Sequence, residues 1–472
     1  MTTNMLRALG RKLVLFHERF ARLFGRRESR SHALVYLKGL IMGEDRKSVE
    51  RIALRFAESK AGQPAGQNEV LALQDFLTAS PWDHRQVQQE IQVLFAEQLV
   101  PSTAEWPIGT VGVIDESSFV KKGTESCGVK RQWCGRLGKK ENCQVGVFLV
   151  GVTPAGSALL DHQLYLPTEW AADRRRRRKT RVPAEVTFQT KPEIAADLIG
   201  RTLDAGAVAF DWITVDELYG RDGNFLDALE ARGLRYVAEV PVTTTVSLHG
   251  EASPAAVGSD QDLRPLELSA PDVLNVKAVA RELPADAWHT YQLREGAKGP
   301  LVFEFAFVRV WAVRHRRLGP PQWLIIRRSL AADPEYKYYV SNADGNTPTE
   351  HLALVTGTRW RVEEYFEDGK DDLGMSDYEA RAWTSWHHHM SLVALAHLFI
   401  TLNRHELQQE IPELTLPMTM RLLQAALKKP TLTEEDAIRL TEYHLKRNRI
   451  ARDSHRKSWL KRHKRVRPKR LL

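Results

Sequence analysis

Apolar residues recur at helical spacing through the first hundred positions. Val87, Ile91, Leu94 and Phe95 share one face of the segment 84–98, and the same three-to-four spacing runs through 33–41, 46–58 and 67–78. Asp45 and Asp83 stand where helix N-caps are expected, and the Gly/Pro-containing stretch 61–66 reads as a loop. At Pro107 the pattern changes. Val111–Ile114 is a short apolar run that predicts a strand ending in Asp115, and 144–152 and 158–166 read as β, joined by a turn at 153–156. A helix is expected at 192–205. A strand over 212–215 runs into Asp216, a helix follows near 224–232, and another strand covers 236–240.

From 241 to about 342 the pattern is β-rich, with strands at 302–313, 322–327 and 336–340 punctuated by Gly, Pro and Asp. Thr347-Pro348-Thr349-Glu350 matches a capping box with Pro at the first helical position. Helices follow: a short one reaching Gly357, another from about 358 to 374, then 383–402 and 418–427. The βββ-α-β-α-β order through the middle predicts an α/β fold, a mixed sheet with helices on its faces.

Composition adds limits. A chain of 472 residues, 43% hydrophobic, can bury a large core in two or three domains. No segment reaches the roughly 18 apolar residues of a membrane span, and the run Leu13–Phe16 is too short for a signal peptide. A soluble intracellular protein is expected. The three cysteines, Cys127, Cys134 and Cys143, lack paired spacing and predict neither a disulfide framework nor a zinc site. The charge is uneven. Residues 446–470 hold thirteen Lys and Arg, Lys461 and Arg462 among them, against one acid, Asp453; they contribute +12 to a net charge of +9 and leave the rest near −3. Such a tail reads as a nucleic-acid arm. A second basic run, Arg174 to Lys179, including Arg176 and Arg178, is expected as an exposed loop laid on DNA. Arg26, Arg27, Arg30, Arg46, Lys47 and Arg51 would let the N-terminal helices bind DNA too.

Three acidic positions carry the candidate chemistry. Asp115 and Asp216 are read at strand ends, where open α/β sheets place ligands. Arg359, Glu363 and Lys370 fall at about 0°, 40° and 20° around a helix of about 100° per residue, so a carboxylate is framed by two cations on one stripe. Alone, that stripe also fits a surface ion-pair ladder. Together, the three carboxylates suit two Mg²⁺ or Mn²⁺ ions, and two-metal sites cleave phosphodiesters. Glu364 and Glu367 are alternatives to Glu363 on the same helix; the two flanking cations favour Glu363. Glu116 and Glu217 read as supporting or solvent groups, and His387, His388 and His389 as packing or phosphate-contact residues, since consecutive residues cannot share one helical face.

The blocks Gly112-Val-Ile-Asp115-Glu-Ser-Ser, Val215-Asp216-Glu-Leu-Tyr-Gly220 and Arg359-Trp-Arg361-Val-Glu363-Glu-Tyr…Lys370 resemble the three signature blocks of bacterial DDE transposases of the insertion sequence 4-like type. Tyr36–Ile41, Ser80–Asp83 and the stretch from Lys370 to Arg381 are most similar to the insertion sequence 701 group. The resemblance implies an RNase H-like core with Asp115, Asp216 and Glu363 as catalytic, metal-holding residues. It implies that Arg359, Arg361 and Lys370 contact DNA. It further implies cut-and-paste transposition of inverted-repeat ends, a homodimer in the synaptic complex, and a nucleoid-associated, cytoplasmic bacterial enzyme. Thr356 departs from the pattern, standing where the family carries a Tyr beside a flipped base. A regulatory derivative without catalysis, or another nuclease on the same core, are the alternative classes. The expected organisation is a helical DNA-binding domain at 1–105, catalytic core at 106–240 and 346–405, a β-rich insertion at 241–345, C-terminal helices at 406–445 and a basic tail at 446–472.

Overall fold

The computed structural model describes residues 3–42, 46–57, 66–249, 273–296, 299–427 and 434–462. Helices come first: α1 (Thr3–Ala21), α2 (Arg27–Ile41), α3 (Val49–Phe56), α4 (Gln67–Thr78) and α5 (His84–Gln98). Four strands follow, β1 (Val111–Val120), β2 (Lys130–Cys134), β3 (Lys139–Thr153) and β4 (Gly156–Leu164). Then α6 (Thr168–Ala172), α7 (Arg174–Lys179) and α8 (Lys191–Asp204) lead into β5 (Trp212–Val215), α9 (Glu217–Gly220), α10 (Gly223–Ala231) and β6 (Tyr236–Val240). The next stretch holds β7 (Thr245–Ser247), β8 (Val273–Asn275), α11 (Val276–Glu282), β9 (His289–Gly296), β10 (Gly299–Arg314), β11 (Arg317–Ser329) and β12 (Tyr336–Ser341). Last come α12 (Thr349–Thr356), α13 (Trp360–Glu367) with a π-helical turn at Asp368–Asp372, α14 (Trp383–Gln408), α15 (Leu416–Ala426) and α16 (Glu434–Arg462).

The described strands form one mixed sheet, ordered β2-β3-β1-β5-β6-β12-β11-β10-β7-β8, with β4 on β3 and β9 on β10. At its centre β1, β5 and β6 run parallel, and β3 lies antiparallel to β1. β1 connects to β5 through β2–β4 and the helices α6–α8, and β5 to β6 through α9–α10, long crossovers of the kind parallel pairing requires. The β-rich stretch 241–345 joins the same sheet, because β12 pairs antiparallel with β6.

Helix α14 is the hub. It is buried on nearly all sides, and apolar residues circle it. Gly146 lets β3 approach it closely, since a Cβ there would sit 2.6 Å from the Trp386 ring. The three consecutive histidines point in three directions, as helical geometry demands. His387 Nδ1 meets Trp383 O at 2.9 Å while its Nε2 faces the Leu164 N–H; His388 reaches the carbonyls of Leu77 and Trp82; His389 meets the Tyr36 hydroxyl at 2.9 Å. They tie α14 to β4, to the α4–α5 region and to α2, which is the packing role expected. One continuous apolar cluster runs from α1–α5 through the sheet to α14 and α15.

Several expectations need correction. β1 does not end at Asp115; it runs on through Glu116, Ser117 and Ser118 to Val120 because β3 supplies an antiparallel partner for its polar half. The run Arg174–Lys179 is a short helix, not a loop, capped by the Asp173 side chain on the Arg176 N–H. The capping box at Thr347 does not form: Pro348 holds the N-cap position and no side chain caps α12. Asp83 does cap α5, accepting from the Arg85 N–H at 2.8 Å. Residues 446–462 of the basic tail continue α16 as helix. Asp45, residues 61–65 of the expected loop, and 463–472 lie outside the described residues. Among the described residues no helix is long and apolar enough to cross a membrane.

Candidate active site

The two aspartates meet because of strand register. β1 and β5 pair in parallel as far as Val113↔Thr214. Two residues further along each chain stand Asp115 and Asp216, at the same level and on the same face. Asp115 is anchored by the Glu116 N–H on its Oδ1 at 2.7 Å. Asp216 is the N-cap of α9, its carboxylate accepting from the Leu218 N–H at 2.9 Å.

Arg359 enters from the other end of the chain, at the N-cap position of α13. Its Nη1 donates to Asp115 Oδ2 at 3.1 Å and its Nη2 to Glu363 Oε1 at 2.6 Å. Asp115 and Arg359 are mostly buried, whereas the Glu363 side chain is 58% exposed. Arg359 and Glu363 of the stripe read from the sequence pair at i,i+4, and the chain then passes through a π-helical turn at Asp368–Asp372 that contains Lys370. Lys370 lies over the rings of Phe366 and Phe119, at 5.6 and 5.9 Å, and near enough to Asp115 to feel its charge. Its pKa is lowered, by burial first and then by the charge of Arg136.

Burial dominates the electrostatics. It pushes Asp115 up to about 7; Arg359 pulls it down, and the charges of Asp216 and Glu116 push it up again. Asp216 is raised to about 6 by burial and then by Glu116. Glu116, read only as a supporting or solvent group, is tightly held: Lys191 Nζ donates to one oxygen at 2.6 Å and the buried Tyr219 hydroxyl to the other at 3.0 Å. Neither Lys191 nor Tyr219 carries a sequence signal of its own.

Among the described residues no three His, Cys, Asp or Glu side chains gather closely enough to hold a metal ion. The Arg359 guanidinium stands between Asp115 and Glu363 instead. The donor set nonetheless fits a cation: two mostly buried carboxylates, raised by burial and by neighbouring acids (Asp216 and Glu116 on Asp115, Glu116 on Asp216), are relieved by positive charge.

A cavity of about 230 Å³ opens beside this group, lined among others by Glu239, Arg327, Tyr339, Thr356, Arg359, Trp360 and Glu363. Thr356 is buried, its hydroxyl donating to Ala353 O. Arg361 is paired with Glu364 at 2.9 Å and packs on Trp360. Arg294, a cation not singled out in the sequence, also lies over Trp360, 3.5 Å from the ring centre. Of the basic run, Arg174 and Arg178 are exposed, whereas Arg176 stacks on Trp170 and donates to Thr124 O. Lys461 is exposed near the end of α16, and Arg462 is its last residue. Neither the α7 cations nor those of α16 belong to the carboxylate cluster.

A probable transposase for insertion sequence element IS701 from Microchaete diplosiphon is 34% identical over 176 residues, which are 37% of this chain; the chain spans 42% of the length of that relative. The family described as DDE superfamily endonuclease matches residues 19–300, a stretch that contains both strand aspartates and ends before Arg359 and Glu363. A match over more than half of the 472 residues, centred on the paired Asp115 and Asp216, makes this chain a member of the DDE superfamily endonucleases.

Proposed function

We propose that the chain is a DNA transposase. It binds the inverted repeats at the ends of an insertion sequence, cuts phosphodiester bonds there and joins the freed 3′-OH ends to target double-stranded DNA. The observation that carries the reading is the level placement of Asp115 and Asp216 on one sheet face, with Glu363 drawn to them through Arg359. The printed name of the Microchaete relative points the same way.

In this reading Asp115, Asp216 and Glu363 hold two Mg²⁺ or Mn²⁺ ions on an RNase H-like core. Bound there, the ions supply activation of the attacking oxygen and stabilisation of the leaving oxygen. Asp115 and Asp216 give up their protons on binding, so activity rises with pH through their raised pKa values. Arg359 exchanges its carboxylates for DNA phosphate, and Lys370 neutralises phosphate beside the cut. Arg361, the α1–α5 helices, Arg174 and Arg178 on α7, and the basic stretch with Lys461 and Arg462 bind DNA outside the cut. Two copies assemble on paired ends, in the cytoplasm at the nucleoid.

The test uses the full chain, DNA from either side of its gene as labelled duplex, a plasmid target and Mg²⁺. Wild type is expected to nick the end and transfer it. Asp115→Asn and Asp216→Asn are expected to bind the end and not cut it. Cleavage retained in both variants sinks the assignment.

A further inference from the structure

The hairpin of β2 and β3 is two-faced. Cys134 and Cys143 are buried on one side with Val145 and Tyr165 packed around them. On the other side Trp133 stands 57% exposed. Cross-strand partners share a face, and the register pairs Trp133 with Lys140 and Arg131 with Asn142. Trp133 is thus set between two exposed cations, Arg131 and Lys140, and neither makes an ion pair among the described residues. Arg136 and Lys139 sit exposed at the tip.

On this side of the ladder the stretch from Gln144 to Phe148 is covered by Tyr378, Phe366 and Trp386, and the carboxylates lie beyond it. The β1–β3 ladder pairs Phe119 with Gln144 and Asp115 with Phe148 without a bulge, so even-numbered β3 positions from Lys140 to Phe148 share the face of Asp115. Lys370 lies over Phe119 on the way, close enough to Arg136 to feel its charge. Phe148 and Lys140 are eight residues apart, which is at most about 26 Å at roughly 3.3 Å per residue, or about eight nucleotides of B-form strand at roughly 3.4 Å each.

We propose that Trp133 is a stacking platform for an unpaired base of the DNA strand that runs from the Asp115–Asp216 site, with Arg131 and Lys140 holding the adjacent phosphates. An aromatic face between unpaired cations repels a second basic surface and suits a polyanion that carries its own π-faces. The packed Cys134–Cys143 face makes the hairpin rigid enough to present it. The inference rests on the reading that this face meets DNA.

The experiment measures binding of the full chain to two labelled DNAs of equal length, a blunt duplex and a fork with 2-aminopurine along its single-stranded arm. Stacking tolerates any base, so arbitrary sequence serves. Wild type is expected to bind the fork and quench the 2-aminopurine. Trp133→Ala is expected to lose the quench and about fivefold or more of fork affinity, with blunt-duplex affinity within about twofold because the phosphate contacts remain. Trp133→Phe should restore most of both. Quench and fork affinity unchanged in Trp133→Ala, with wild type binding DNA, overturns the stacking role alone. Wild type that binds neither DNA overturns the transposase reading, and this one with it.

Discussion

Arg359 joins Asp115 and Glu363, carboxylates almost 250 residues apart in sequence, through two hydrogen bonds of 3.1 and 2.6 Å. The pairing makes Arg359 the charge that keeps Asp115 from rising further. Removing it leaves a buried, unpaired carboxylate wherever Asp115 is ionised. Arg359→Gln is therefore expected to lose about 1–3 kcal/mol of stability at pH 8, and much less at pH 5, where Asp115 is already protonated. Urea unfolding at the two pH values checks the difference; equal losses at both would contradict it.

Positive charge from another source should have the opposite effect. At pH 8, millimolar Mg²⁺ or Mn²⁺ is expected to raise the melting temperature of wild type, since an ion that binds only the folded carboxylates stabilises by mass action. At a concentration a hundred times its Kd the gain is about 2.7 kcal/mol. The Asp115→Asn/Asp216→Asn double variant should gain nothing. A rise of the same size in both chains would place the ion elsewhere.

Glu116 raises Asp216 after burial does. Glu116→Gln removes that repulsion and keeps one acceptor oxygen for Lys191, while its amide N–H can donate to the Tyr219 hydroxyl. The folded pKa of Asp216 then falls. If cleavage needs Asp216 ionised, the acidic limb of the pH–rate profile moves to lower pH. A merely structural Glu116 lowers the rate at every pH and leaves the limb in place.

Most of the secondary structure was legible because its periods are clean. α4, α5, β5 and β6 lie where alternation and helical spacing put them, residue for residue. The β2–β3 hairpin was not seen, because Lys130, Arg131, Lys139 and Lys140 give it no apolar alternation; one face is buried only by cysteines. β1 was cut short because Glu116, Ser117 and Ser118 look like a loop until β3 pairs with them. The aspartates were legible as residue types, although Asp115 sits inside β1 and not at its end. Their proximity was not, since it depends on a parallel register between positions about a hundred residues apart. The π-helical turn around Lys370 carried no signal in the sequence.

The buried histidines give the chain a pH dependence of known sign. His162 and His389 are pushed down to about 3 and His388 to about 4, all mainly by burial, and His387 is lowered by the same cause. A depressed histidine contributes stability above about pH 6.5 that is lost as pH falls toward its folded value. Asp115 and Asp216 act oppositely: their raised values favour the folded state at low pH, and that contribution is lost between about pH 4 and 7. Four histidines outweigh two acids. Stability by urea unfolding is expected to drop as pH falls from 6.5 to 5, and His162→Asn should make the slope shallower by about 1.4 kcal/mol per pH unit. An unchanged slope would mean that His162 does not titrate with unfolding.

Gly220 closes α9 against β6, and this contact positions Asp216. A Cβ there would lie 1.9 Å from Glu239 O and 2.9 Å from its carbonyl carbon. β6 cannot yield, because it is hydrogen-bonded between β5 and β12 in the middle of the sheet. α9 has to move, and Asp216 is its N-cap. Gly220→Ala is therefore expected to cost about 1–3 kcal/mol from overpacking and to lower end cleavage further than the lost stability explains, by shifting Asp216 relative to Asp115. Gly345→Ala is the control, since a Cβ there meets open space, and it should fall within about 0.5 kcal/mol of wild type. Urea unfolding and single-turnover cleavage on the same preparations separate the two effects. If Gly220→Ala matches Gly345→Ala in both measurements, α9 does not set the position of Asp216.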